Sequence, residues 1–408
     1  MKIGIFSDAY LPQIGGVSTA ANLIKKHLTA RGHDVYVITP SDPKAEEEEN
    51  VIRVPSLPFV SAKRLALMCP PVIYKRIIDL DFDIVHSQTE FAMGDLAHRV
   101  RKDLKIPHVH TFHTLYEDWL LGQLGEGHAS KAAQNFIRRF STKFCNSVDH
   151  IIVPTRKTED VLLSYGVTTP LQILPTGIEL DRFSAAAADT ESRLRLREDL
   201  DIPRDAFVLV YIGRISHEKA INEILDYLPR LIEEYDDFYF VLAGSGPQLQ
   251  EYCDQISEAG LERKIKFIGP VSSEQVPRYY AMGDAFASAS RSETQGLTYI
   301  EAMAAGLPLL VFNDICLKGV FEEGVNGFSF TSEEEFLRGA ASLMEDTSLR
   351  RQMSEAAINS SKRFSVDIFV EQVLAIYQSQ IEVYKKGRTG VAFHSRILNY
   401  LRERIANR

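Results

Sequence analysis

Two glutamates eight residues apart, Glu293 and Glu301, bracket the run Thr294-Gln295-Gly296-Leu297-Thr298 in a chain of 408 residues. If a helix begins near Gly296, Glu293 lies in the loop before it and Glu301 lies inside it. A loop carboxylate can accept sugar hydroxyls, and the free N–H groups of Gly296, Leu297 and Thr298 can face a phosphate. Glu301 can accept the paired hydroxyls of a ribose. An amphipathic helix with ordinary surface glutamates fits the same spacing. Earlier in the chain, Arg214 and Lys219 follow an apolar run. Together they suit a diphosphate, the arginine as a planar fork and the lysine as a point charge. Against this stands a solvated loop in which Lys219 pairs with Glu218. Glycines at strand-to-helix turns, Gly15-Gly16 and Gly244-Ser245-Gly246, let backbone approach an anion or simply make a turn. Neither a full G-x-G-x-x-G fingerprint nor a P-loop is present. His113 follows another apolar run, and a lone histidine there is more often structural than chemical. His110 takes that plainer reading.

These residues recur at the ends of short apolar runs, which points to the elements that position them. Runs at 3–6, 34–38, 84–86, 109–112 and 151–153 read as buried parallel strands, with helical patterns such as 18–31 and 92–102 between them. A second series at 207–212, 238–243, 265–268, 285–287 and 309–312 repeats the design. Two βα series imply an α/β protein with two doubly wound sheets, whose ligands sit beyond the carboxyl ends of the strands. The composition shift at 184–203 places the seam there, and helical patterns fill 332–360 and 365–384.

Charge is uneven: net −1 over residues 1–189, −14 over 190–384 and +6 over 385–408, for a total of −9. The acidic total argues against nucleic acid as a partner. Four scattered cysteines form no disulfide or zinc pattern, and no metal site stands out. The short run after Met1 is no signal peptide, and no apolar run reaches membrane-spanning length. A cytoplasmic protein is expected.

The pattern E-x7-E followed by Ala302-Met303-Ala304-Ala305-Gly306-Leu307-Pro308 resembles the signature of family 4 retaining glycosyltransferases, which have the GT-B fold. Gly15-Gly16-Val17, Pro175-Thr176-Gly177-Ile178-Glu179, Gly213-Arg214 with Lys219, Gly244-Ser245-Gly246-Pro247 and Asn326-Gly327 fall in that family's order. The resemblance covers essentially residues 1–375, and 314–323 is one departure from it. The resemblance implies two Rossmann-like domains facing a cleft: 1–195 for the acceptor, 196–370 for the donor, and helices at 371–408 crossing back to the first domain. It assigns Arg214 and Lys219 to the donor diphosphate, with Gly15 and Gly16 beside it from the other domain and Gly244 at the same edge. Gly296, Leu297 and Thr298 complete the phosphate site, Glu301 takes the ribose, and Glu293 takes the transferred sugar. His113 matches the family's active-site histidine. Within the family the chain resembles diacylglycerol glucosyltransferases of bacterial membranes. That implies UDP-glucose as donor substrate, no bound cofactor or metal, and the 3-hydroxyl of 1,2-diacylglycerol as acceptor.

The first half supplies physical support for a membrane-facing role. Residues 50–78 hold five cations and no acid, Lys63 among them. Residues 127–148 hold Lys131, Arg138, Arg139 and Lys143, again with no acid, beside Phe136, Ile137, Phe140 and Phe144 at helical spacing. Such a helix can lie in an anionic lipid interface on the inner face of the cell membrane. A core helix with a solvated basic face is the alternative. Arg396, Arg402, Arg404 and Arg408 repeat the theme in the tail. Trp119, close to His113, would report lipid or acceptor binding. Three rivals stay open: a transferase with a soluble acceptor, a UDP-sugar epimerase, and a non-catalytic sugar-nucleotide scaffold.

Overall fold

A computed structural model describes residues 1–13, 15–58, 64–116 and 131–406, with side chains as far as 386. Lys63 and Trp119, and the side chains of the tail arginines, lie outside these residues. The first domain is built on a seven-stranded sheet. Its strands are β1 (Lys2–Phe6), β2 (Asp34–Pro40), β3 (Val51–Val54), β6 (Ile84–Ser87), β7 (His108–Thr111), β8 (His150–Val153) and β9 (Leu171–Ile173). A hairpin, β4 (Ser56–Pro58) and β5 (Arg64–Ala66), lies outside it. The second domain has six strands: β10 (Phe207–Ile212), β11 (Phe238–Ala243), β12 (Ile265–Gly269), β13 (Ala285–Ser288), β14 (Leu309–Phe312) and β15 (Gly327–Phe330). Both sheets are parallel throughout, in the orders β3-β2-β1-β6-β7-β8-β9 and β12-β11-β10-β13-β14-β15.

Helices cover both faces of each sheet, which is why β10 reads Phe-Val-Leu-Val-Tyr-Ile with every residue buried. Three of the four edge strands, β3, β9 and β15, escape the sequence reading, because partly covered edges keep polar or glycine positions; the fourth, β12, is read at 265–268. The helical pattern at 332–360 is two helices, Glu333–Glu345 and Thr347–Ser361. Asp346 separates them, its carboxylate accepting from Leu349 N–H at 2.8 Å to cap the second.

The strand orders decide where ligands can sit. Each order reverses at one point, between β1 and β6 in the first sheet and between β10 and β13 in the second, opening a crevice at the carboxyl ends there. The chain leaves the first domain earlier than the composition shift implied. Ile178 and Phe183 already pack in the second core with Val208, Val210 and Phe286. The shift at 184–203 instead marks two helices on the second domain's flank, Leu180–Ala188 and Thr190–Asp199. The return crossing lies beside the outward one: Ile178 N–H donates to Phe364 O, and Val366 N–H donates to Ile178 O, each at 2.9 Å. Helix Val366–Ala406 then seats Phe369, Val370, Val373, Ile376 and Tyr377 against Ile3, Ile5 and Ile24. No helix among the described residues is long and apolar enough to cross a membrane.

Candidate active site

The carboxyl ends of β10 and β13 meet at the second crevice, and each delivers one half of an ion pair. Lys219, from the loop after β10, places Nζ 2.5 Å from Glu293 Oε1, in the loop after β13. Lys219 therefore pairs across the crevice, not with its neighbour Glu218. Burial pushes the Glu293 carboxyl up, but the ammonium beside it and Lys157 outweigh that and hold it below the ordinary range. Arg214 is exposed on the same loop and has no ion-pair partner among the described residues.

The glycines of this edge shape the loop. A Cβ on Gly244 would lie 1.8 Å from Gly213 O, and one on Gly246 would lie 1.8 Å from Ile215 O. Gly213 N–H and Ile215 N–H donate to Ala243 O and Ser245 O, each at 3.0 Å. Gly244 thus holds the Arg214 backbone in place by close approach. Asn326 and Gly327 serve the fold in a similar way: a Cβ at Gly327 would strike Leu309 O, and Asn326 Nδ2 donates to Val320 O at 3.1 Å. The unmatched segment near Cys316 and Leu317 is a 3-10 turn with both side chains buried.

Helix Leu297–Ala304 starts after Gly296, whose φ of 71° is left-handed, and no side chain caps it. Its first N–H groups stay available to an anion, and the helix dipole favours negative charge there. Gly16 stands opposite, since a Cβ on it would lie 3.8 Å from Leu297 Cδ1. The Gly15-Gly16 turn and the helix end thus face each other between the domains. One turn into that helix, Glu301 accepts from the hydroxyl of buried Tyr280 at 3.0 Å. Burial pushes the Glu301 carboxyl up to about 7, more than that hydrogen bond offsets.

Contacts that the sequence reading missed tie this loop to the first domain. Gln295 and Thr176 exchange two hydrogen bonds, Thr176 N–H to Oε1 at 2.9 Å and Nε2 to Thr176 O at 2.8 Å. Thr155 Oγ1 donates to Thr294 O at 2.8 Å, and Lys157 pairs with Asp314 at 3.3 Å. Only the position of Gln295, between Glu293 and Gly296, could have flagged it.

In the first domain His113 Nε2 lies 2.7 Å from Gln88 Oε1 at the β6 and β7 ends. Burial, with neighbouring His110, holds His113 down at about 3, so the ring is neutral at pH 7. His110 is buried between Ser87 and Glu90, a packing role. Asp8, after β1, also went unnoticed. It accepts from Thr89 Oγ1 at 2.5 Å, and burial pushes it up to about 6.

Helix Lys131–Cys145 divides the predicted aromatic stripe. Phe144 turns inward onto His110, with ring centroids 4.9 Å apart, while Phe136 is 69% exposed. Phe140 stacks on Phe136 and on Phe91, and Phe91 meets Tyr116 edge-on at 5.3 Å. Tyr116 donates to buried Glu90. Lys131, Arg138, Arg139 and Lys143 are exposed beside this ladder. Across the same domain, Met68 and Val72 are 82% and 81% exposed near Lys75 and Arg76. Among the described residues, no group of three or more His, Cys, Asp or Glu side chains is placed to hold a metal ion.

Residues 14–182 match the description Glycosyltransferase Family 4, and residues 192–360 match Glycosyl transferases group 1. Alpha-monoglucosyldiacylglycerol synthase of Acholeplasma laidlawii is 33% identical over 394 residues, covering 95% of this chain and 99% of that protein. The like-named protein of Streptococcus pneumoniae is 31% identical over 386 residues, covering 93% and 86%. Among solved structures, Anabaena HepE in complex with UDP-glucose superposes with a TM-score of 0.74 over 93% of this chain and 100% of that one. At 19% identity that likeness shows the fold alone. Two parallel-sheet domains facing a crevice, both halves matched and a relative aligned almost end to end place the chain among the family 4 glycosyltransferases of the GT-B fold.

Proposed function

We propose that the protein transfers glucose from UDP-glucose to the 3-hydroxyl of 1,2-diacylglycerol, with retention of the α configuration, at the cytoplasmic face of the cell membrane. The observation that carries this reading is the 33% identity to a monoglucosyldiacylglycerol synthase, which extends over 95% of the chain. The geometry supports it in three places. Lys219, tied to the loop that leads into the open helix end at Gly296, with Arg214 exposed on its own loop, suits a leaving diphosphate that gathers charge. Glu293 and Glu301 offer carboxylates for sugar and ribose hydroxyls. The exposed cations around Phe136 and Phe140 form a surface that suits anionic lipid, where each cation near the surface contributes about 1 kcal/mol.

In the proposed reaction the bond from glucose C1 to the diphosphate oxygen breaks as the glycerol oxygen bonds to C1 on the same face. The acceptor proton passes to the leaving phosphate, so no carboxylate nucleophile is needed. Lys219 and Arg214 hold the leaving group, and Glu293 holds the sugar. His113 lines the acceptor side.

The test is a panel of radiolabelled UDP-sugars with diacylglycerol in anionic mixed micelles, followed by product identification. Label from UDP-glucose in α-monoglucosyldiacylglycerol is the expected result. Label only in a soluble acceptor, or an epimerised UDP-sugar formed without acceptor, would replace the reading with one of its rivals.

A further inference from the structure

Tyr377, His86, Gln88 and His113 form one hydrogen-bonded chain that begins on the C-terminal helix and ends at the cleft. Tyr377 Oη lies 2.6 Å from His86 Nδ1, and the rings meet edge-on at 5.6 Å. His86 Nε2 lies 2.7 Å from Thr111 Oγ1 and 3.1 Å from Gln88 Nε2. Gln88 Oε1 in turn lies 2.7 Å from His113 Nε2. His86 and Tyr377 are fully buried and Gln88 is 1% exposed, so bulk water cannot stand in for any link.

The orientation of the Gln88 amide, with Nε2 toward His86 and Oε1 toward His113, sets the direction of each bond. An amide nitrogen only donates, so His86 Nε2 must accept from Gln88. Burial keeps the His86 ring neutral, and its single proton therefore sits on Nδ1 and is donated to Tyr377 Oη. An amide oxygen only accepts, so His113 carries its proton on Nε2 and donates it to Gln88. The His113 Nδ1 lone pair is left without a partner among the described residues. Reversing any one bond reverses the next.

We propose that Gln88, His86 and Tyr377 are positioning residues that lock His113 as the Nε2–H tautomer, so that Nδ1 is a fixed acceptor for a substrate hydroxyl. The inference rests on the reading of His113 as an active-site residue. It also makes the seat of the C-terminal helix on the first sheet part of the catalytic apparatus, because Tyr377 anchors the chain of bonds.

The experiment uses the full-length protein with ring-15N histidine, read by long-range proton–nitrogen correlation. Wild type should show His113 protonated at Nε2. Tyr377→Phe removes the acceptor for His86 Nδ1–H while keeping the aromatic ring. His86 then regains a bond by moving its proton to Nε2 and donating to Gln88. The Gln88 amide turns over, and His113 shifts to the Nδ1–H form. The kcat for transfer from UDP-glucose should fall about 10- to 100-fold with the donor KM within about twofold, as when an orienting partner is lost. Thr111→Val removes a bond from the same His86 ring without reversing any donor, so tautomer and kcat should stay as in wild type. Gln88→Met should reproduce the kcat loss without touching the helix, and so supplies the answer if Tyr377→Phe folds poorly. Wild-type kcat in Gln88→Met, or an unchanged His113 tautomer in a folded Tyr377→Phe, would overturn the proposal. His113→Ala separates the two readings: normal turnover there removes His113 from the active site, while the tautomer data still judge the hydrogen-bonded chain.

Discussion

Lowering the pH from about 9 to about 6 should weaken UDP-glucose binding roughly tenfold, with Glu301 responsible. Its carboxyl is pushed up to about 7 from an ordinary 4.5, because burial penalises the anion. In the proposed site two ribose hydroxyls donate to that carboxylate, so only the ionised form binds well. With half the free protein protonated at pH 7 and about nine-tenths at pH 6, affinity should drop about twofold and about tenfold from its alkaline limit. Binding should release about 0.5 and about 0.9 proton at those two values. Isothermal titration calorimetry in buffers of different ionisation enthalpy measures both quantities. UDP-glucose is the right ligand because its phosphodiester groups do not titrate in this range. Glu301→Gln should bind more weakly at high pH and lose most of the linkage, leaving at most a remnant from Asp8, whose carboxyl is pushed up to about 6. A flat affinity between about pH 6 and 8, or full proton release in Glu301→Gln, would refute the reasoning.

The same group gives a stability test whose sign is fixed. Its folded pKa lies above the unfolded one, so its contribution is complete below about 4.5 and is lost as the pH rises through about 7. The difference is worth up to about 3 kcal/mol, so ligand-free Glu301→Gln should gain on wild type near pH 8 and show no gain near pH 4.

Lys219→Ala should cut kcat by about 100-fold or more, since it removes a charge aimed at the leaving group and strands Glu293; near-normal turnover would end that assignment. Gly244→Ala should destabilise the donor domain by more than about 2 kcal/mol in thermal unfolding, because the new Cβ would meet Gly213 O at 1.8 Å. Gly260→Ala is the control: φ is 69° but the space is open, so strain alone should cost about 1 kcal/mol. Replacing Arg138, Arg139 and Lys143 together by Ser should weaken co-sedimentation with anionic vesicles at least about tenfold, with UDP-glucose affinity unchanged. Equal loss of both would point to misfolding.

Strands such as β10 and β11 are legible in the sequence because burial on both faces demands unbroken apolar runs, and the motif residues mark the ends of those runs. Three of the four edges are not, since partial cover leaves no such run; β9 was invisible for that reason, while the edge strand β12 kept enough apolar residues to be read. Residue types and spacing also led to the expectation of one kind of ligand for Glu293, Glu301, Arg214 and Lys219. They did not determine contacts. Lys219 had Glu218 next to it and chose Glu293, because the strand order sets the β10 and β13 ends side by side across 74 residues. Tyr280 beneath Glu301 raises no signal in the sequence, yet the burial they share moves that carboxyl toward neutrality. Tyr377 lies 291 residues from His86, and only the return of the C-terminal helix to the first sheet brings them within 2.6 Å. Local pattern records what each segment must bury, whereas sheet order and the two domain crossings decide which distant groups share a proton.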